Sequence, residues 1–419
     1  MKKITPLLLL IGILSIFPHQ AASQANQEQA FLFEIGIADS LYSNTLGEFR
    51  EFWVVLPDSY NPDSNVKYPV VYVLDGSQHL KALETVYNYY SGHHLPDMIL
   101  VGISNRTNRT RDLTTSSVSS RRGGKMEEAT GGAENFSQLI ENELIPFIDG
   151  KYPTSPYRTL IGHSYAGLFT IYTLINHPQL FQNYIAIDPS LDWDHQKLLN
   201  QAKEKLQHEE FTGKSLFVSL AAGQLHMLDG EITLDNVMMD TSEYTLSARS
   251  IIELSTFAES QKMNGLNYSW KTYSNDYHWT VPLPSIADGL VSQFEWYQLH
   301  SAEKFSNPET TLDELMKIVK ERESILNAHF GYPTPPLVEE LLNMTGYMYL
   351  QFGQPEKSYA FFKMGIDYYP ESANAYDSMA DYYVSQNDID NAIKSLIIAL
   401  ELSGNEYSKN RLEELKTKK

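Results

Sequence analysis

Apolar and polar positions alternate over 49–56 and the pattern stops at Pro57, the period of a half-buried strand. The runs 69–74 and 98–103 are apolar throughout, the form a strand takes when both faces of its sheet are covered. Between them 77–90 carries apolar residues at helical spacing, and 133–148 does so again. Further strand-like runs fall at 158–161, 184–187, 216–222 and 268–273, with helix-like stretches between. Repeated strand-then-helix units predict an α/β fold: an open, mostly parallel sheet flanked by helices on both faces. Ligands of such sheets bind beyond the carboxyl ends of the strands.

The texture changes after Ser301. Strand signals vanish, and 303–419 reads as helices rich in Tyr, Leu, Ala and Glu. A period of 34 pairs Gly346 with Ala380, Tyr349 with Tyr383, Ser358 with Ala392 and Gly365 with Ala399. Small residues recur where paired helices approach, the tetratricopeptide pattern, with Pro370 at the closing turn. Two copies fall short of a free-standing solenoid, so the region is expected to dock on the preceding domain or on 312–330. It serves either to cover apolar surface or as a platform for a protein partner or self-association.

Composition adds a third segment. Lys2 and Lys3 precede a continuous apolar run, 7–17, and then Ala21-Ala22-Ser23, the layout of a cleaved secretory signal over 1–23. The run is too short and wrongly flanked for a membrane span. With no cysteine there is neither a lipid-anchor site nor a disulfide framework. The expectation is an exported, periplasmic or secreted protein, with a first domain over 24–302. Loss of Lys2 and Lys3 takes the net charge from −20 to −22, a balance that repels nucleic acid and anionic lipid. The most basic stretch, 106–122, has five arginines broken by Thr, Ser and Asn. No P-loop occurs, and no histidine pair has metal-ligand spacing with a third ligand nearby; neither metal nor organic cofactor is implied.

The chemistry concentrates at Gly162-His163-Ser164-Tyr165-Ala166-Gly167, between a strand-like and a helix-like run. A serine between small residues at such a junction sits on a tight, strained turn that pushes its hydroxyl out of the sheet. The following helix aims its N-terminus at developing negative charge. A serine needs a base at neutral pH, and histidine suits that pH. His278 fits, 114 residues downstream, past the strand ending at Tyr273 and before Pro282.

An acid is expected after 216–222 to orient the imidazole. Asp229 and Glu231 are nearest, Asp240 is reachable by a folded-back loop, and Asp276 lies two residues before the histidine. An oxyanion hole needs two backbone N–H groups. Tyr165 is expected to supply one, and the turn Leu74-Asp75-Gly76-Ser77 the other, with Gly76 letting the backbone come close and Ser77 giving the N–H.

Tyr68-Pro69-Val70-Val71-Tyr72-Val73-Leu74-Asp75-Gly76, Arg111-Asp112-Leu113-Thr114, Gly131-Gly132-Ala133 and Glu143-Leu144-Ile145-Pro146-Phe147-Ile148 follow one another in order. With Gly162 to Phe169, Asp188-Pro189-Ser190-Leu191 and His278-x-x-Val281-Pro282, they resemble the putative esterase family of the α/β hydrolases. The siderophore-esterase branch looks most similar. That resemblance implies the α/β-hydrolase fold, serine-ester chemistry and a small-molecule ester substrate. Trp279-Thr280 stands where relatives commonly have Gly-Ser, which puts an indole on the leaving-group side. The stretch holding Arg106, Arg109 and Arg111 reads either as a solvated surface loop or as a site where those arginines, Arg111 first, meet an anionic ligand.

The sequence therefore predicts an exported serine esterase acting through an acyl-enzyme on ester-linked siderophores or on acylated or phenolic sugar esters. Two rivals remain. One is a catalytically inactive scaffold whose helical repeats bind a protein partner, and the other is acyl transfer in place of hydrolysis.

Overall fold

The computed structural model describes residues 36–62, 66–228, 230–261 and 264–418; the expected export signal over 1–23 lies outside them. The strands are β1 (Ile37–Ser43), β2 (Glu48–Val55), β3 (Tyr68–Val73), β4 (Ile99–Ile103), β5 (Ser120–Arg121), β6 (Gly124–Lys125), β7 (Thr154–His163), β8 (Asn183–Ile187), β9 (Ser215–Ala221) and β10 (Asn267–Tyr273). Eight form one sheet in the order β1-β2-β4-β3-β7-β8-β9-β10, and β5 with β6 makes a separate hairpin. From β4 to β10 every neighbouring pair is parallel, whereas β1–β2 and β2–β4 are antiparallel. Every residue of β3, β4 and β8 is buried, as uninterrupted apolar runs require.

Helices follow the strands in turn: Gly76–Tyr90 after β3, Tyr165–Asn176 after β7, Trp193–His208 after β8, Leu246–Ser260 after β9 and Pro282–Gln293 after β10. Gly76–Tyr90 packs beside Pro282–Gln293, and Tyr165–Asn176 packs beside Trp193–His208, which also meets Leu246–Ser260. The stretch 133–148 is helical throughout, as expected, with a π turn inside it. It is Ala133–Leu139, a π turn Ile140–Leu144 and Ile145–Lys151. Pro146 has no N–H to give, and the Ile145 N–H reaches Ile140 O five residues back, so the register widens there.

Beyond the sheet the chain is helical, with antiparallel pairs Glu339–Gln351/Pro355–Tyr368 and Ala373–Ser385/Ile389–Ser403, then Glu406–Lys418. The 34-spaced small residues lie where helices cross: a Cβ on Gly346 would stand 2.5 Å from the Phe362 ring, and Ala380, Ala392 and Ala399 are fully buried. Helix Leu312–Phe330 joins this region to the sheet. His329 stacks on Trp296 at 4.0 Å with rings nearly parallel, and Tyr157 of β7 packs edge-on against Phe294, Trp296 and Phe330. Arg322 donates from Nη1 to Tyr297 O and from Nε to Pro336 O, both at 2.6 Å. Gly36–Lys419 accordingly form one compact unit. Among the described residues no helix is long and apolar enough to cross a membrane.

Candidate active site

β7 ends at His163 and the next helix begins at Tyr165, so Ser164 alone makes the turn, at φ 62° and ψ −117°. L residues rarely occupy that region, and surrounding bonds must hold it. The Ser164 N–H donates to Ile187 O at 3.0 Å, and Ser164 O accepts from Ser190 N–H at 3.1 Å and Leu168 N–H at 2.9 Å. The glycines are demanded by close approach: a Cβ on Gly162 would lie 2.2 Å from Ala166 O, and one on Gly167 3.1 Å from Pro189. Ala166 stands where glycine is usual, and its methyl is fully buried. Ser164 Oγ lies 3.4 Å from Ser190 Oγ.

Three further strand ends converge on this turn. His278 follows β10, and its Nδ1 lies 2.5 Å from Oδ2 of Asp188, the residue directly after β8. Asp188 is 3% exposed, and its Oδ1 accepts the Ala221 N–H at the end of β9 at 3.0 Å. The His278 N–H donates to Gln224 Oε1 at 3.3 Å, and the Gly223 N–H donates to Asp276 O at 3.0 Å. A Cβ on Gly223 would lie 2.7 Å from that oxygen, so only glycine lets the turn after β9 lie against the histidine loop.

The carboxylate on His278 is thus Asp188, which corrects the acids expected from sequence. Asp229 lies outside the described residues. Glu231 is exposed, Asp240 accepts the hydroxyls of Ser242 and Thr245, and Asp276 accepts that of Thr280. The physical reason is strand order: β8 is the neighbour of β7, so its carboxyl end opens nearer the serine turn than the end of β9 does. The signal was present in sequence, as an aspartate immediately after a wholly apolar run.

Arg111 is corrected too. It donates from Nε to Asp112 Oδ1 at 2.7 Å and from Nη2 to Glu48 Oε1 at 2.6 Å, in a network that also holds Arg50. Its charge is consumed within the fold. Arg109 instead grips Asp75 with two bonds, Nε to Oδ1 at 2.8 Å and Nη2 to Oδ2 at 2.7 Å, and its Nη2 reaches His163 O at 3.4 Å. This ties the turn bearing Gly76 and Ser77 to the residue before Ser164. Gly76 is required there, because a Cβ would lie 2.5 Å from Gly102 C on β4. Tyr165 begins its helix, where backbone N–H groups have no partner in the preceding turn.

Two arginines, Arg109 and Arg121, lie over the Tyr165 ring. Arg121 of the β5–β6 hairpin packs over the rings of Tyr165 and Trp193, donates to Tyr165 Oη at 2.5 Å and holds Asp192 through two bonds. Burial alone would raise the Asp192 carboxyl, and the charges of Arg121 and Arg122 outweigh it, holding it below its ordinary range. Arg122 remains half exposed. Trp279, 80% exposed, sets its indole 5.2 Å from the His278 ring.

Two histidines lie beneath. His163 is 3% exposed and its ring centroid is 4.4 Å from that of His278; His79 is 5.5 Å from His163 on the other side. Burial, then the charge on His278 and His79, pushes His163 down to about 2 from 6.5, and burial lowers His79 as well. Below 6.5 the unfolded chain binds protons that the folded chain refuses, so stability falls as pH drops from 6.5 toward 2. One such histidine removes about 1.4 kcal/mol per pH unit in that window. Urea midpoints taken between about pH 7 and about pH 5 are expected to fall with pH, and His163→Phe to flatten the slope. Equal slopes in the two proteins would refute the buried neutral imidazole.

A strained serine turn, a histidine paired with a buried carboxylate and backbone N–H groups nearby are the parts of acyl-transfer chemistry. The chain is 27% identical over 221 residues to the ferri-bacillibactin esterase BesA of Bacillus subtilis, spanning 49% of this chain and 76% of that one. It is 26% identical over 255 residues to the siderophore triacetylfusarinine C esterase of Aspergillus fumigatus, spanning 56% of this chain and 84% of that one. An IroE-like serine hydrolase from Shewanella oneidensis superposes with a TM-score of 0.63 at 26% identity, over 79% of this chain and 98% of the other. An uncharacterised protein from Capnocytophaga ochracea shares the fold over 91% of this chain and 99% of its own, with a TM-score of 0.58 at 17% identity. The family model described as putative esterase matches residues 43–281, more than half of the 419. On that match and the siderophore-esterase relatives, this chain belongs to the putative esterase family of ester hydrolases.

Proposed function

We propose that the protein is an exported serine esterase that cleaves ester-linked siderophores or related phenolic and acylated esters through an acyl-enzyme. The observation that carries this reading is the pairing of His278 Nδ1 with buried Asp188 at 2.5 Å, beside a serine held at positive φ. Asp188 fixes the tautomer that leaves Nε2 free to accept a proton. Nε2 takes the Ser164 proton as Oγ attacks the ester carbonyl, and the N–H groups of Tyr165 and of the Gly76-Ser77 turn hold the oxyanion. The histidine then gives its proton to the leaving alkoxide, and water repeats the steps in reverse to free the acid.

The substrate class draws on the relatives' named activities and on the exposed indole of Trp279 beside His278. Export rests on the charged, apolar and small-residue order of 1–23. The helical region reads as tetratricopeptide-like repeats, preceded by helix Leu312–Phe330, which covers the aromatic cluster at the amino end of β7.

The test is labelling of the mature protein by a fluorophosphonate probe, followed by hydrolysis of siderophore, feruloyl and acetyl esters. Stoichiometric labelling with turnover of a siderophore ester is expected. A folded protein that takes no probe would point to the inactive scaffold, and turnover only with an added alcohol acceptor to acyl transfer.

A further inference from the structure

The neighbouring strands β4, β3 and β7 end side by side, and one arginine spans all three ends. Arg109 opens the short helix Arg109–Leu113 after β4 and grips both carboxylate oxygens of Asp75, past β3, at 2.8 and 2.7 Å. Its Nη2 also donates to His163 O, at the end of β7, at 3.4 Å, and its guanidinium lies 5.5 Å from the centre of the Tyr165 ring. Asn105, likewise past β4, accepts the Asp75 N–H through Oδ1 at 2.9 Å. The acyl-enzyme steps above use none of these side chains.

Asp75 is an unusual helix cap. It stands at the N-cap of helix Gly76–Tyr90, where a carboxylate ordinarily accepts an N–H two or three residues on. Here φ is 53°, the side chain makes no capping bond, and both oxygens go to Arg109. The first helical bonds run from the Gln78 and His79 N–H groups to Asp75 O, at 2.8 and 3.1 Å. The N–H groups of Gly76 and Ser77, ahead of them, have no acceptor within the helix, and they are the donors proposed for the oxyanion. Asp75 is 3% exposed. Left unpaired, its carboxylate would repel the charge that develops on the substrate oxygen. Relaxed to the ordinary cap geometry, it would also occupy the Ser77 N–H.

We propose that Arg109 is a positioning residue for the oxyanion hole: its two-bond grip balances the Asp75 charge, keeps that carboxylate off the Gly76 and Ser77 donors, and holds their turn in register with Tyr165. This rests on the serine-esterase reading above. Oxyanion donors act on the tetrahedral adduct far more than on the bound ester, so the effect belongs in kcat and not in KM.

The experiment compares wild type with Arg109→Gln, Arg109→Lys and the double variant Asp75→Gly/Arg109→Gln on a neutral activated ester. It reads kcat, KM, thermal melting and the Ki of a trifluoromethyl ketone, whose adduct with the serine carries the oxyanion. Arg109→Gln is expected to lower kcat about 100-fold and to raise the ketone Ki by a similar factor, with KM within about twofold. Arg109→Lys keeps the charge without the two-bond grip and should lose about 10-fold. Glycine takes the left-handed conformation without strain and carries no carboxylate, so the double variant should run about 10-fold faster than Arg109→Gln. A residue that only braced the fold would give no such recovery when its partner is removed as well. A folded Arg109→Gln enzyme with wild-type kcat, a loss of kcat with unchanged ketone Ki, or a double variant no faster than Arg109→Gln overturns the proposal. If Arg109→Gln fails to fold, the lysine variant decides, and wild-type kcat there overturns it. A wild type that takes no fluorophosphonate overturns the esterase reading first, and the role of Arg109 with it.

Discussion

Ser164→Ala is expected to lower kcat on an activated ester by about 10⁵- to 10⁶-fold, with KM changed little. The hydroxyl is the only atom removed, and it makes few ground-state contacts, so the loss falls on the step that forms the acyl-enzyme. Alanine at a backbone position held by the Ile187 carbonyl and the Ser190 N–H keeps the turn, so the variant should melt near wild type. Residual hydrolysis of about 10³-fold over water would remain from the oxyanion donors and binding alone. Stopped-flow measurement of the acylation burst tests this. A variant that keeps a burst of wild-type amplitude would move the nucleophile elsewhere, with Ser190 the first place to look at 3.4 Å.

Asp188→Asn is expected to lower kcat by about 10³- to 10⁴-fold. The amide is isosteric and still meets Ala221 N–H through its oxygen, so the fold is preserved. Its NH₂ would donate to Nδ1 of His278, however, and drive the proton to Nε2, the nitrogen that must accept from serine. The imidazolium formed during attack would also lose the carboxylate that balances it. Asp240→Asn, a change within a turn capped by Ser242 and Thr245, is the comparison and should keep wild-type kcat. Loss of activity in Asp240→Asn with Asp188→Asn unaffected would return the acid to the loop after β9.

How much of this was legible depends on the range over which each feature is decided. The inner strands and the serine turn are local: uninterrupted apolar runs and the spacing of Gly162 and Gly167 around Ser164 declare them. β1 was missed because Ile37–Ser43 lies at the sheet edge, half exposed and mixed in polarity, with no period to detect. The acid was missed because it is decided by strand order. Asp188 and His278 are 90 residues apart, and only the adjacency of β7, β8 and β9 puts the carboxylate under the imidazole. Arg111 looked free because Glu48, its partner, is 63 residues away on β2. His163 belongs to the serine motif in sequence, but a neighbour's ring 4.4 Å away leaves no trace in spacing.

Three residues at this site share a backbone oddity: Asp75, Ser164 and Asp188 have φ of 53°, 62° and 41°. Each stands one or two places past the end of a parallel strand, and none is glycine. For side chains with a Cβ such conformations cost on the order of 1 kcal/mol or more apiece. Selection for durability alone would drift all three toward glycine, and each drift would erase a side chain the site is built on: the carboxylate that holds Arg109, the hydroxyl of Ser164 or the carboxylate that holds His278. The carboxyl end of the inner strands is therefore where the proposed activity and thermal robustness pull in opposite directions, and lineages that gain the second are expected to do so elsewhere in the molecule.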